Sequence, residues 1–290
     1  MSAASSESSG GLQQANILVE LGRYREAEQL LAPYLASNPA DARGLCLMAQ
    51  CQLEQQRPEA AAATAASASV ADPSSVWAHR LRAIALSRAG HHGEACAEGQ
   101  EAVRLAPASD LAHSALAVCL LHGRFLAQAR DAATRATELN PARADHWVTL
   151  SAVHLAARAN AEATSCANRA LELDPHSVQA VNNLGVVQLR RRRFLSALQL
   201  FVTAVRLDPQ FEPSLRNIGT ALWTAFFMVL LAVVVAIRIS PIAAAVVGVL
   251  GAAGLALLVV RLPHGAARAG LRALRRHRSG LRRRQRSGPR

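Results

Sequence analysis

Residues 182–209 read NNLGVVQLRRRRFLSALQLFVTAVRLDP, and the pattern of that stretch recurs through most of the chain. Leu184, Gly185, Leu189 and then Phe194, Ala197, Leu198, Phe201 and Ala204 return at three- and four-residue steps, the period of an α-helix. The stretch ends at Pro209, whose ring and missing N–H cannot continue a helix. Going back from Pro209, Pro175, Pro141, Pro107, Pro73 and Pro39 follow at intervals of 34 residues. Twelve residues before each proline stands an alanine: Ala27, Ala61, Ala95, Ala129, Ala163 and Ala197. Twenty-four before each stands a small residue: Ala15, Ala49, Ala83, Ala117, Ser151 and Gly185. Five before each, after Tyr34 in the first copy, stand Ala68, Ala102, Ala136, Ala170 and Ala204.

A fixed period of this length means stacked copies of one small unit. Gly22, Gly90, Gly93 and Gly123 fall between the two halves of their copies and are expected to make the turns. Each copy is therefore helix, turn, helix, proline: an αα-hairpin. Small residues let the two helices approach closely, and stacking buries the face one hairpin cannot bury alone. The acids before the prolines, Asp72 and Asp174, are expected to cap the following helices.

This pattern resembles the tetratricopeptide repeat family. Leu184-Gly185, Phe194, Ala197, Phe201, Ala204 and Pro209 stand at family positions, and the fifth copy adds Trp147 and Leu150. The second copy departs most, with Gln52 and Pro58 in place of large residues, and is expected to be looser. The resemblance covers about residues 11–221, including half of a seventh unit (Leu215, Ile218, Gly219). It implies an all-α fold, an α-solenoid of helical hairpins over 11–217, whose first helices line a concave groove for a protein or peptide partner. Carried over position by position, the groove residues are Arg80, Ile84 and Arg88 in the third unit and Ser114, Val118 and Leu121 in the fourth. The fifth gives Val148, Ala152 and Leu155, and the sixth Asn182, Val186 and Leu189. Only Asn182 and Arg216 agree with the family's carboxylate clamp, so that ligand is not implied.

Past the repeats the composition changes. Residues 218–237 and 239–260 carry no charge, and Arg238 separates them. Twenty residues of helix span about 30 Å, the thickness of a hydrocarbon core. Ser240-Pro241 reads as a helix N-cap with proline in the first turn, so a transmembrane hairpin of two helices, 218–237 and 241–260, is expected. Ala244, Gly248 and Ala252, four apart, permit close helix contact in lipid, and Trp223 would mark the interface.

All 20 acids lie in residues 1–212, against 19 arginines; residues 213–290 hold 13 arginines and no acid. Eleven of those arginines fall in 261–290, a basic tail that the positive-inside rule keeps cytoplasmic. With two spans the repeats lie on the same side, in agreement with the N-terminal residues 1–10, which read as a disordered tail rather than a signal peptide. Arg268, Arg272, Arg275 and Arg276 surround a stripe of Ala267, Leu271 and Leu274 and suit anionic headgroups. Lipid is favoured over nucleic acid because the tail begins at a span. All 32 basic residues are arginine, which with so much alanine points to a GC-rich, bacterial genome; with the two spans, the expected location is the cell membrane.

The repeat register carries one further expectation. The run Arg190, Arg191, Arg192 and Arg193 lies one period before 224–227, so it should stand at the same depth along the parallel first helices and contact headgroups. No GxxxxGK, HExxH or GxSxG motif is present, and His91, His92, Glu94 and Cys96 lack metal-site spacing. The five cysteines show no CxxC and read as small core residues. Neither a catalytic site, a cofactor nor a small-molecule substrate is expected. The reading is a membrane-anchored scaffold; the alternative is a membrane-surface or nucleic-acid organiser working through the arginine tail.

Overall fold

The computed structural model describes residues 2–239 and 248–253. Six helical hairpins follow one another: α1 (Ser2–Glu20) with α2 (Tyr24–Ser37), α3 (Ala42–Glu54) with α4 (Pro58–Ala71), and α5 (Val76–Ala89) with α6 (His92–Leu105). Then come α7 (Asp110–His122) with α8 (Leu126–Leu139), α9 (Ala144–Ala156) with α10 (Asn160–Leu173), and α11 (Val178–Arg190) with α12 (Phe194–Leu207). The long α13 (Glu212–Ile239) follows, residues 248–253 are helical, and no strand occurs among the described residues. Helix α1 begins inside the stretch expected to be a disordered tail. Gly10 and Gly11 lie in that helix with open space around them, and it extends from the packed turns at Ala15 and Val19.

The same backbone device closes every unit. The last residue before each proline accepts a hydrogen bond from the residue three further on: Asn38 from Asp41, Asp72 from Ser75, Ala106 from Ser109, Asn140 from Arg143, Asp174 from Ser177 and Asp208 from Phe211. Each is a β-turn with proline at its first corner, where a fixed φ is already right. The side chains of Asp41, Ser75, Ser109 and Ser177 then cap the next helix. This corrects the expectation for Asp72 and Asp174. Their carboxylates accept from the N–H two residues on, in Ser74 and His176, and brace the turn instead of the helix.

The turn inside each hairpin has its own ladder. Gly22, Gln56, Gly90, Arg124, Arg158 and Arg192 all have positive φ and stand 34 apart. At Gly22, Gln56, Gly90, Arg124 and Arg192 the N–H reaches back three residues and the next N–H reaches back five, the paired bonds of a Schellman motif. Gly123 and Gly93, expected to make turns, do not hold that position. Gly123 is right-handed and precedes Arg124, and Gly93 is inside α6.

The chain divides into two compact units, Met1–Ala157 and Arg158–Arg290. In the first, each helix packs on its successor, and each first helix also packs on the next first helix, α3 on α5 and α5 on α7. In the second, α10, α11, α12 and α13 follow the same order, with α11 also touching α13. Neighbour-only packing is the local rule of an α-solenoid. The alanines at the repeated small positions are buried, as are Ser151 and Gly185. All five cysteines are buried among them, and burial pushes the Cys119 thiol up to about 12. The second repeat shows an added polar link: Thr64 donates to Gln52 across the hairpin at 2.9 Å, and Pro58 opens α4 at a first-turn position.

Candidate functional site

Two surfaces carry the expected site residues, one in each unit. In the first unit, Arg80, Ile84, Ser114, Val118, Leu121, Val148 and Ala152 are half-buried on α5, α7 and α9. Leu155 is buried. Arg88 is exposed, and its Nη1 donates to the carbonyl of Leu53 at 3.1 Å, placing a cation at the C-terminal end of α3.

Arg80 anchors the polar part of this face. Its Nε is buried and makes no hydrogen bond among the described residues. Burial pulls its pKa down, Asp110 opposes that and Arg143 adds to it. Asp110, the first residue of α7, is the hub. Its Oδ2 accepts from Asn140 Nδ2 at 3.0 Å, and His146 Nε2 lies 2.9 Å away. Arg143 Nε is 3.3 Å from the same oxygen. Burial alone would raise this carboxyl, but hydrogen bonds from His146, Asn140 and the Leu111 N–H, with the charge of His146, hold it at about 2. One carboxylate thus gathers groups from the fourth and fifth repeats beside Arg80 of the third. Sequence reading found Arg80 but missed Asp110, Asn140, Arg143 and His146, because they occupy non-equivalent positions in their repeats.

In the second unit the three expected groove residues face α13. Asn182 is buried, and its Oδ1 accepts from Ser214 Oγ at 3.1 Å and Asn217 Nδ2 at 2.9 Å. That oxygen serves the joint between α11 and α13. Val186 and Leu189 pack against the apolar core made with α12 and α13.

Helix α13 changes character along its length. Ser214, Ile218 and Ala221 are buried in the repeat core, so residues 218–221 of the expected first span belong to the last repeat. From Trp223 onward the side chains turn outward: Trp223, Phe226, Phe227, Met228, Leu230, Leu231 and Val234 are exposed. Trp223 stacks on Phe226 with centroids 6.0 Å apart and meets Phe227 at 5.3 Å. A cleft of about 460 Å³ lies beside this face, lined by Leu189, Arg190, Arg192, Phe194, Thr224, Phe227, Met228 and Leu231. The arginine turn of the sixth repeat and residues 224–228 therefore stand side by side, the depth relation drawn from the 34-residue register. Arg191 and Arg193 are exposed outside this cleft. Arg268, Arg272, Arg275 and Arg276 lie outside the described residues, as does most of the expected second span 241–260.

Among the described residues no group of three or more His, Cys, Asp or Glu side chains converges as a metal site. His91 and Glu94 form a surface pair 3.9 Å apart.

The family model for the tetratricopeptide repeat matches residues 12–76, 52–110 and 148–210, more than half of the chain. No curated protein matches the sequence. Among solved structures, the Cut9–Hcn1 hetero-tetramer of the APC/C superposes with a TM-score of 0.63 at 14% identity, covering 74% of this chain and 42% of that one. This chain thus spans less than half of that relative. TTC0263, a thermophilic TPR protein of Thermus thermophilus, gives 0.55 at 21% identity, covering 66% of this chain and 99% of that one. Pseudomonas aeruginosa PilF gives 0.53 at 15% identity, covering 71% and 94%. These likenesses are of fold.

Proposed function

The chain belongs to the tetratricopeptide repeat family, and from that we propose that it is a non-catalytic scaffold which binds a protein or peptide on its first-helix face and is held at a membrane by α13. The observation that carries the reading is the continuity of α13. One helix starts as the buried wall of the last repeat and runs on as an exposed apolar rod. By length and composition Glu212–Ala232 could cross a bilayer, and past the repeat core, from residue 222 to 239, α13 runs for 18 residues, about 27 Å of helix. Water is a poor solvent for the seven large apolar side chains exposed between Trp223 and Val234, and lipid is the cover that suits them. Arg80 supports a partner with an acidic group, since its buried Nε offers a donor in a neighbourhood where two guanidiniums face one carboxylate. The expected two-span topology, with repeats and tail both cytoplasmic, belongs to this reading.

Membrane fractions of cells expressing the full chain provide the test. Alkaline washing is expected to leave the chain in the pellet, and protease is expected to digest the repeats only after the cells are opened. Release into the supernatant by the alkaline wash overturns the anchor, and digestion in intact cells overturns the orientation.

A further inference from the structure

We propose that the cleft between the sixth-repeat turn and α13 binds one anionic phospholipid, with its phosphate on Arg190 and Arg192 and an acyl chain along Phe227, Met228 and Leu231. The inference rests on the membrane reading above and adds to it a site and a ligand class.

The lining has the chemistry of a phospholipid. Arg190 and Arg192 line a single cleft with Leu189, Phe194, Phe227, Met228 and Leu231. A guanidinium offers parallel N–H donors that match a phosphate. Its volume, about 460 Å³, is that of sites which hold small ligands. The backbone places the arginines: Arg190 ends α11, and Arg192 holds the left-handed position of the turn, at φ 59°. Arg190 Nη1 also donates to Asn160 Oδ1 at 3.4 Å, which steadies the guanidinium beside the opening.

Charge selects the occupant. Residues 175–207 contain five arginines and no acid. Burial pulls the Arg190 pKa down, and the charge of Arg158, a further cation near this turn, adds to that. A second copy of the chain would bring the same arginines against these and be repelled, whereas a phosphodiester neutralises them. The neighbouring aromatic cluster gives the depth. Trp223, Phe226 and Phe227 have the composition of an interfacial girdle, where headgroups meet acyl chains.

The test uses the full chain in a neutral detergent, incubated with equal amounts of phosphatidylglycerol and phosphatidylcholine, with bound lipids counted by native mass spectrometry. The expected result is about a ten-fold preference for phosphatidylglycerol in the first lipid retained. Arg190→Gln with Arg192→Gln is expected to abolish the preference. Arg191→Gln with Arg193→Gln, the same charge change outside the cleft, is expected to keep it. Circular dichroism melting checks that both pairs fold. Equal retention of the two lipids by the unaltered chain overturns the site, and so does equal loss in both double variants. A chain that resists alkaline extraction yet shows no preference loses the site and keeps the anchor; one that is extracted yet holds phosphatidylglycerol loses the anchor and keeps the site.

Discussion

The core around α3, α4 and α5 and the core around α11, α12 and α13 obey one period with different materials. The first is filled by Ala49, Ala61, Ala65, Ala68, Ala78 and Ala85, with Cys46 and a few leucines. The second is filled by Leu198, Phe201, Val202, Val205 and Ile218. Polar stitching differs in the same sense. In the first unit His79 and His113 ring nitrogens and the Trp147 indole N–H lie at 2.9–3.2 Å from the carbonyls of Pro73, Pro107 and Pro141, six residues back. Besides local pairs such as Arg104–Glu101 and Arg135–Glu138, some ion pairs there link separate segments, as in Arg57–Glu28, Arg82–Glu98 and Arg143–Asp110. In the sixth repeat the ring position is Val181, and the ion pair of α10, Arg169–Glu172, stays within its own helix. The period is therefore enforced by the two turns and the small residues at helix crossings, not by any particular core chemistry. The last repeat keeps its polar links at its joints, Asn182 with Ser214 and Asn217, while its core is apolar enough to pass its character on to α13.

The largest expected effect tests whether the C-terminal core depends on one side chain. Phe201 is fully buried, and its ring fills the space left by Gly185: a Cβ there would lie 2.5 Å from Phe201 Cε1. Phe201→Ala should destabilise by about 3–5 kcal/mol, read by chemical unfolding. Gly185→Ala should also destabilise alone, by about 1–3 kcal/mol, and should add nothing once Phe201 is alanine. Additive losses would break the contrast with the alanine core, where no single residue plugs such a space.

The next effect tests the polar stitching of the first unit. Asp110 is held at about 2 against an ordinary 3.8, so its network contributes fully above pH 4 and is lost as the pH falls from 4 towards 2. Solvent screens part of it, and the contribution is about 1 kcal/mol. Asp110→Asn should lower stability by that amount at pH 7. It should flatten the acid side of the stability–pH curve, measured by urea midpoints from pH 7 to 2. A variant curve parallel to that of the unaltered chain would show that the carboxylate is a bystander.

How far these features could be read in advance depends on whether they repeat. The hairpins, the buried alanines and the depth of Arg190 and Arg192 against 224–228 follow from periodicity, because a fixed period converts sequence distance into axial position. The joint at Asn182 is not legible from one repeat alone, because it needs the next first helix, whose Ser214 and Asn217 donate to its oxygen. The bond of Arg88 to the Leu53 carbonyl is not legible in the sequence, because it depends on a long side chain reaching back to the preceding repeat. The Asp110 cluster was invisible because it joins unlike positions of neighbouring repeats. Glycine signals the left-handed position only at Gly22 and Gly90, two of the four glycines expected at turns; Gln56, Arg124, Arg158 and Arg192 meet the same backbone demand without the residue that signals it.

That hidden ladder gives the smallest effect and the sharpest comparison, since both cores share it. A side chain at positive φ meets its own carbonyl, and glycine removes the clash. Against this, glycine gives the unfolded chain more freedom to lose. The steric term wins at a position whose φ is fixed by paired hydrogen bonds, so Gln56→Gly should stabilise by about 0.5 kcal/mol. Arg192→Gly should gain the same backbone term and, in addition, relief from the repulsion of Arg190, Arg191 and Arg193. Arg192→Gln measures that second part alone. The difference between Arg192→Gly and Arg192→Gln in urea midpoint should therefore match the gain of Gln56→Gly. Agreement would mean that the turn has one energetic value in an alanine core and in a phenylalanine core. A clear mismatch would mean that the core reaches into the turn, and that the period is maintained by different forces at the two ends of the repeat array.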